Sequence, residues 1–563
     1  MMSKEKKHIL LTALGMNPRA VVYCMGEKTK EAQISTIALL SLLPEEERPD
    51  EIIALCTQEA KNTFPILQNN VALTCTMVEI PVAKTDSEIW GIMDRIIESI
   101  PEHCKLTLDV THSLRHFPFL FFSSSLYLTI IKNVNLAGVY YGMLEGKKPE
   151  EAAPIVNLLP ILKMTQWYGA AQMFYKTGDA MPLVQCLEDV SQKAVLEKEN
   201  VWLKEIRQAL EKWSYYMGSA VLLETGKAAQ ELSSVLQNRK ILESLKKYIP
   251  ASQKLTEYIQ EKASSLAIPQ DIQEGENWKK GIVLDHQELE RQARMIESYL
   301  ASNQINHAAG TIREWVVNRV MMGMCCAKWL KDRNPIEKSL QILKHVSKHF
   351  DDLLRPEQKK LGRLWDDVTE KRNILHHHGM RNSEMVENIK KSLQETWKQL
   401  FDKRQEESFW NIQLGGGRGT LLVSPLGLSK GLLFSALTEV ACDHCLVIGS
   451  EQSMMTLDEI RNKASYQGSM EPYKMKEPFL GFQEASSLVK EIEKTLLLAD
   501  KIICNITGGT TAQQYVIQAI YEKAKYLEKD VYRIAFIDRR DVLEQKNNPY
   551  VAGEMIKLDK ERE

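Results

Sequence analysis

A phosphate-binding side chain and proton-transferring side chains stand together in the segment Arg372-Asn373-Ile374-Leu375-His376-His377. A histidine near neutral pH moves protons, and an arginine holds a phosphate group and stabilises the charge that develops on it. Helical spacing places Arg372 and His376 on one face, and His377 joins them if the helix end tightens. Cleavage of RNA by its own 2′-hydroxyl needs these functions and no metal ion. The segment therefore predicts a ribonuclease site.

Two other interpretations of this segment compete. The run His376-His377-His378 could bind a metal, but consecutive helical residues point in different directions and cannot all reach one ion. The run could also be a solvated basic helix end that favours the helix dipole. For an isolated Arg and His pair the basic helix end is the better interpretation. The choice between it and a ribonuclease site therefore depends on the surrounding modules.

Polar residues also follow predicted strands near the N-terminus. Runs of β-branched residues predict strands at residues 9–12, 51–56, 105–110 and 137–141, with a helix at residues 30–43 between the first two. In an open parallel sheet, small ligands lie at the carboxyl ends of the strands. The third strand is followed by hydroxyl, imidazole and guanidinium groups suited to a nucleotide, at Thr111, His112, Ser113 and Arg115.

A second set of strand ends repeats this order near the C-terminus. Residues 11–15 are echoed by 423–427, which include Ser424 and Gly427, and residues 109–113 are echoed by 505–509. The stretch Thr507-Gly508-Gly509-Thr510 supplies hydroxyls, exposed amides and close backbone approach. Each stretch alone could be a turn and a helix cap, but the pair at equivalent positions favours a ligand. No dinucleotide fingerprint or phosphate-loop lysine is present, so the predicted ligand is nucleotide-like but unconventional.

The elements that must position these residues fall into four modules. Strand and helix alternate in the first, the strand signal disappears in the next two, and alternation returns in the last. We expect a multidomain α/β plus all-α protein, with Rossmann-like modules at both ends of a helical region. The predicted domains are residues 1–170 (ligand sensing), 171–280 (helical linker), 281–405 (helical catalytic domain) and 418–563 (second α/β domain).

Composition limits the classes of partner. The 563 residues carry 72 basic and 74 acidic side chains, a net charge of -2, so a nucleic acid would be met at a local site and not by a global field. The apolar run at residues 9–14 is too short for a signal-peptide core or a membrane span. The ten cysteines have no framework spacing. We expect a cytoplasmic protein without a membrane partner, a metal site or a cofactor.

Two motif sets resemble known families. The segment Arg372-Asn373-Ile374-Leu375-His376-His377 resembles the signature of HEPN ribonucleases, in the variant with a polar second residue. The N-terminal module is similar to CARF domains in Leu14-Gly15, in residues 109–118 and in Val139-Tyr140-Tyr141-Gly142. Together they resemble the CARF-HEPN ribonucleases associated with type III CRISPR systems, over roughly residues 8–400.

The resemblance implies a single-stranded RNA endonuclease of antiviral defence, activated allosterically by cyclic oligoadenylate. It implies a homodimer that binds one ligand across its two-fold axis and pairs two HEPN domains into a composite site. It assigns Arg372, Asn373 and His377 as catalytic residues. It assigns ligand binding to Gly15, Thr111, His112, Ser113 and Arg115.

The C-terminal copy departs from this pattern, since members of the family usually end after the HEPN domain. The stretch from Thr507 to Thr510 is similar to a motif of other CARF branches. The copy could be a second sensor, a ring nuclease that cleaves the activator, or a dimerisation module. A rival for the whole chain is a non-catalytic, nucleotide-responsive regulator or scaffold.

Overall fold

The computed structural model describes residues 7–112, 114–144, 151–194, 200–248, 252–269, 275, 277–326, 328–380, 386–414 and 417–559. The chain divides into two compact units. One comprises Met1–Tyr175, Asp179–Glu211 and Arg239–Leu255, and the other comprises Lys176–Gly178, Lys212–Asn238 and Thr256–Glu563.

An eight-stranded sheet forms the centre of the first unit. Its strands are β1 (His8–Ala13), β2 (Val21–Met25), β3 (Lys28–Ala32), β4 (Glu51–Cys56), β5 (Thr74–Glu79), β6 (Lys105–Asp109), β7 (Asn135–Gly142) and β8 (Ala153–Asn157). The order is β3-β2-β8-β7-β6-β1-β4-β5, and neighbours are parallel except in the pairs β2–β3 and β7–β8. The helices described between these strands are α1 (Ser35–Leu42), α2 (Phe64–Asn70), α3 (Asp86–Ser99) and α4 (Phe117–Ile131).

The central strands of this sheet are buried on both faces. Every residue of β1 is buried, with Ile9 and Leu11 in one apolar core and Leu10 in the other. Strands covered on both faces show continuous apolar runs, which is why the sequence revealed β1, β4, β6 and β7. Residues 30–43 are not one helix, because Lys28–Ala32 pairs with β2 through a two-residue turn in which Gly26 has a φ of 60°.

Helices form the middle of the chain. Those described are α5 (Leu159–Thr177), α6 (Met181–Ala194), α7 (Asn200–Gly218), α8 (Leu222–Gln237), α9 (Arg239–Tyr248), α10 (Ser252–Leu266), α11 (His286–Ala301), α12 (Ile305–Gly323), α13 (Arg333–His349), α14 (Pro356–His376), α15 (Val386–Asp402) and α16 (Glu407–Trp410).

The helices α11–α16 pack around a buried tryptophan. The Trp315 ring meets Trp397 and Trp410 edge-on, with centroids 5.0 and 5.6 Å apart, and its Nε1 donates to the carbonyl oxygen of Leu289 at 3.0 Å. The guanidinium of Arg319 is fully buried and pairs with Glu407 at 2.6 Å. Edge-on packing of these rings thus accompanies satisfied polar groups on both Trp315 and Arg319.

A six-stranded sheet follows in the second unit. Its elements are β9 (Thr420–Leu426), α17 (Lys430–Glu439), β10 (His444–Gly449), α18 (Glu451–Met454), α19 (Leu457–Lys463), β11 (Ser469–Lys474), α20 (Glu484–Glu491), α21 (Glu493–Leu498), β12 (Lys501–Asn505), α22 (Thr511–Tyr526), β13 (Asp530–Ile537), α23 (Val542–Asn547) and β14 (Glu554–Lys557). The order β11-β10-β9-β12-β13-β14 is parallel except for β14.

This sheet repeats the first one. The run β5-β4-β1-β6-β7-β8 has the same sequence order, the same parallel pairs and the same antiparallel last strand. The prediction of a multidomain α/β plus helical protein is confirmed, whereas the exact domain boundaries stay predictions. No described helix combines the length and apolar composition needed to cross a bilayer.

The close contact between α13 and α14 can be tested by adding one methyl group. A Cβ on Gly362 would lie 2.8 Å from the Cβ and Oγ of Ser347 and 3.0 Å from the carbonyl oxygen of Leu343. We predict that Gly362→Ala lowers the free energy of unfolding by about 1–3 kcal/mol, since overpacking moves the helices apart. Denaturant unfolding followed by tryptophan fluorescence measures the change.

The matched control is Gly310→Ala in α12, where a Cβ would meet no atom within 4 Å. Here we expect a gain of roughly 0.5–1 kcal/mol, because alanine loses less backbone entropy in a helix. Equal effects of the two substitutions would contradict the tight α13–α14 contact.

Candidate functional site

A buried carboxylate organises the loops at the carboxyl end of the first sheet. Asp109 is the last residue of β6, and its Oδ2 accepts hydrogen bonds from Ser35 Oγ and Thr36 Oγ1, both at 2.7 Å. Its Oδ1 accepts the backbone N–H of Thr111 at 3.1 Å. A buried charge must be paired or hydrogen-bonded, and these three bonds fix the chain after β6 against α1.

The hydrogen bonds to Asp109 form a bracket around the strand end. This bracket brings three of the predicted ligand-binding residues together. The hydroxyl of Thr111 accepts the Gly142 N–H at 2.8 Å, which ties the loop to the end of β7. The Nε2 of His112 lies 3.2 Å from the hydroxyl of Tyr23. A Cβ on Gly15 would lie 4.0 Å from the His112 Cβ. The loop after β1 therefore borders the loop after β6.

The structure describes only one of the other two predicted residues. Arg115 is exposed beyond the bracket and precedes α4. Ser113 lies outside the described residues. Sequence reasoning missed Tyr23, because it reaches the site through the β2–β3 hairpin, 89 residues before His112. The turn glycine Gly26 was the available signal.

The electrostatic state of His112 follows from its surroundings. Burial lowers the pKa of His112 below its usual value of 6.5, while the nearby Asp109 carboxylate acts in the opposite direction. Burial and the same carboxylate raise the pKa of Tyr23 to about 12. At neutral pH this is a neutral pair, suited to stacking and hydrogen bonding with a base or ribose.

The second sheet has the same bracket with a carboxamide in place of the carboxylate. Asn505 ends β12, donates from Nδ2 to Ser424 Oγ at 2.9 Å, and accepts the Thr507 N–H on Oδ1 at 3.0 Å. The hydroxyl of Thr507 accepts the Phe536 N–H from β13 at 2.8 Å. Asn505 and Thr507 thus stand where Asp109 and Thr111 stand in the first sheet.

Glycines allow close approach of two loops in this module. A Cβ on Gly427 would lie 2.9 Å from the Cα of Gly509, so the loops after β9 and β12 touch through their backbones. Gly508 and Gly509 have φ values of 91° and 69°, a region that favours glycine. Both amides border a cleft of about 830 Å³ that Gly427 and Thr510 also line.

Thr510 is engaged in local structure. Its hydroxyl accepts the Gln513 N–H at 3.2 Å as the N-cap of α22 and donates to the carbonyl oxygen of Pro478. It therefore anchors the loop between β11 and α20. The Ser424 hydroxyl is buried beneath the bracket, so it supports the cleft without lining it.

The predicted catalytic residues lie at the end of α14. The Nη1 of Arg372 lies 3.3 Å from Oδ1 of Asn373, to which it donates, and His377 is the C-cap residue. Arg372 is half-buried, whereas Asn373 and His377 are exposed. The rings of His376 and His377 meet edge-on, with centroids 5.9 Å apart. The arrangement leaves an open helix end carrying a guanidinium, an amide and imidazoles.

Neighbouring helices hold α14 from both sides. Asp366 pairs with Lys344 and Lys348 of α13 at 2.8 and 2.7 Å. Burial acts to raise the pKa of Asp366, but the hydrogen bonds from both lysines outweigh it and leave the pKa lowered. On the other side, Asp367 accepts from Thr396 Oγ1 of α15 at 2.7 Å. These contacts hold α14 before its last two turns, while its end is open.

Among the described residues, no group of three or more His, Cys, Asp or Glu side chains is placed to hold a metal ion.

Comparison with known proteins gives a similar sequence and similar solved structures. No protein-family model matches the chain. A CRISPR-associated protein of Methanocaldococcus jannaschii is 28% identical over 169 residues. The resemblance to CRISPR-associated proteins is confirmed. The match covers 30% of this chain, and the chain spans about a quarter (24%) of the relative's length.

One of the similar solved structures is Enterococcus italicus Csm6 bound to cyclic hexa-2′-fluoro-hexa-dAMP. The two chains are 10% identical with a TM-score of 0.31, over 72% of this chain and 97% of the other.

The protonation state of His112 is open to direct measurement. We predict that its ring titrates below pH 6.5, since burial disfavours the imidazolium, so it is neutral at pH 7. Histidine-detected NMR measures the titration, and the missing resonance in His112→Asn assigns the signal. A His112 midpoint above 6.5 would show that the Asp109 carboxylate outweighs burial.

Proposed function

We propose that this chain is a cyclic-oligoadenylate-activated, metal-independent, single-stranded RNA endonuclease of type III CRISPR antiviral defence. The observation that carries the proposal is the supported but open end of α14, where Arg372, Asn373 and His377 lie together. The match to a CRISPR-associated protein supports the biological setting.

The chemistry uses the substrate's own nucleophile. The 2′-hydroxyl oxygen forms a bond to the adjacent phosphorus, and its proton leaves to a base. The bond from phosphorus to the 5′-oxygen breaks, and that oxygen takes a proton from an acid. His377 is the candidate for proton transfer, and Arg372 holds the phosphate and stabilises its developing charge. Asn373, within hydrogen-bond distance of Arg372, orients the guanidinium. The products are a 2′,3′-cyclic phosphate and a 5′-hydroxyl.

A homodimer fits this arrangement. One chain supplies one Arg372 and one His377, a sparse set for phosphate stabilisation and two proton transfers. Both Asn373 and His377 are exposed, so a second α14 end can approach them. A two-fold axis beside the helix end would place two identical sets around one phosphate.

The strand ends of the first sheet are the proposed sensor. Gly15, Thr111 and His112 surround the strand ends with a backbone glycine, a fixed hydroxyl and a neutral imidazole, and Arg115 adds an exposed cation. These groups suit the base, ribose and phosphate of an adenylate. Binding of cyclic oligoadenylate there is proposed to activate the ribonuclease.

The C-terminal cleft is proposed to bind the same class of ligand. Gly427, Gly508 and Gly509 border it, and Thr507 fixes the loop. The Thr510 hydroxyl already makes two local hydrogen bonds, which favours a capping role over participation in ring cleavage. We therefore propose a second binding module and keep ring cleavage as an outcome of the experiment below.

Substitution at the end of α14 tests the ribonuclease. Purified protein is incubated with labelled RNA, cyclic oligoadenylates of different ring size and EDTA. We predict that Arg372→Ala and His377→Ala each lower cleavage by about 100-fold or more, because each removes transition-state stabilisation or proton transfer. Ligand binding should be retained. Wild-type products should end in 2′,3′-cyclic phosphate.

Lys360→Ala is the matched control, since it removes an exposed cation from the same helix far from its end. It should cleave as the wild type does. Cleavage that persists in both site variants, or that requires a divalent metal, would reject the assignment. Loss of the added ring during the reaction would show ring cleavage. An inert wild-type protein that still binds the ring would favour the rival, a non-catalytic regulator.

A further inference from the structure

The two sheets share one framework, so the residues at their strand ends can be compared position by position. In the first sheet Cys56 of β4 stands opposite Glu79 of β5, at the end of the paired region. In the second, Gly449 of β10 stands opposite Lys474 of β11 at the same point. Glu79 and Lys474 therefore occupy equivalent ends of the outermost parallel strand, with opposite charge.

The carboxylate in the first sheet is neutralised locally. Glu79 pairs with Lys61 at 2.8 Å, and its backbone carbonyl accepts a hydrogen bond from Arg95. At this edge of the N-terminal module, the ammonium group of Lys61 is therefore already paired with Glu79.

Two lysines border the cleft of the second module. Lys474 and Lys476 are exposed, line the 830 Å³ cleft, and have no ion-pair partner in the described part of the chain. Glu451 is the one acidic side chain among the lining residues, so the charged side chains of the lining sum to one positive charge. An unpaired ammonium group at a cleft of this size is free to bind an anion.

Backbone groups add to this positive potential. The loop through Gly508 and Gly509 has positive φ values and leads into α22, a helix of 16 residues. Amides in such a loop and at the start of a helix point outward and favour negative charge. The lysines lie on the β11 side of the cleft and the glycines on the β12 side, so a ligand with several phosphates can meet both.

We propose that the C-terminal cleft is a phosphate-dependent site for an oligoadenylate, and that Lys474 and Lys476 are the residues that hold its phosphodiester groups. The inference deepens the proposed function, since it names the ligand chemistry of the second module. It also distinguishes the two modules: binding in the C-terminal cleft depends on lysine charge and weakens with salt, whereas Lys61 at the equivalent edge of the first sheet is paired with Glu79.

Calorimetric titration of the full chain tests this assignment. The probes are cyclic hexaadenylate, linear hexaadenylate and adenosine, each at low and high salt. We expect Lys474→Glu/Lys476→Glu to lower the affinity of one class of sites for the hexaadenylates by about tenfold or more, through loss of charge-assisted hydrogen bonds. The salt dependence of that class should fall as well. Adenosine, which has no phosphate, should not distinguish the variant from the wild type.

Two further variants separate charge from folding. Lys474→Arg/Lys476→Arg keeps both charges and should retain binding. Lys490→Glu reverses an exposed lysine of α20 that is not part of the cleft lining, and it should bind as the wild type does. A preference for the cyclic or the linear probe identifies which form the site accepts.

Unchanged hexaadenylate binding in Lys474→Glu/Lys476→Glu would overturn the inference, as would equal losses in the Lys490→Glu control. Either result is separable from failure of the proposed function. RNA cleavage that requires Arg372 and His377 would still be measured in the same preparations, because the lysine variants leave the strand-end residues of the first sheet unchanged.

Discussion

A buried polar side chain at the end of a central strand organises each α/β module. Asp109 and Asn505 each accept the amide of the residue two positions on, and each also binds hydroxyl groups from neighbouring elements. Leaving such a group unsatisfied in the interior costs about 1–3 kcal/mol. The loops after β6 and β12 are therefore fixed to the strands beneath them, beginning at Thr111 and Thr507.

The same framework allows different ligand chemistry in its two copies. Asp109 is a charge that needs three donors, and it draws Ser35 and Thr36 from α1 into the bracket. Asn505 supplies its own donor to Ser424, so the second module needs no such helix contact. The bracket positions the backbone in both modules, while residues outside it, such as His112 in one and Lys474 in the other, determine what the cleft presents.

The sequence predicted the elements whose pattern is set locally. Fully buried strands gave continuous apolar runs, and the Arg372 to His377 spacing located the end of α14. The end of β3, residues 30–32, was predicted as part of a helix, because exposed edge strands rich in lysine and glutamate lack that apolar signal. The Tyr23 contact with His112 and the placement of Lys474 beside Gly508 depend on strand order, which periodicity alone does not contain.

One helix belongs to two packing environments in the second unit. Ile342 and Val346 of α13 join the apolar core beneath the second sheet, and His345 lies 2.7 Å from Glu493, which also pairs with Lys523 of α22. The same helix holds α14 through Asp366. The helix that begins at the C-terminal cleft therefore contacts the one that supports Arg372 and His377. Through these contacts, a ligand at the C-terminal cleft changes the end of α14 only when it binds one arrangement of α22 more tightly than another.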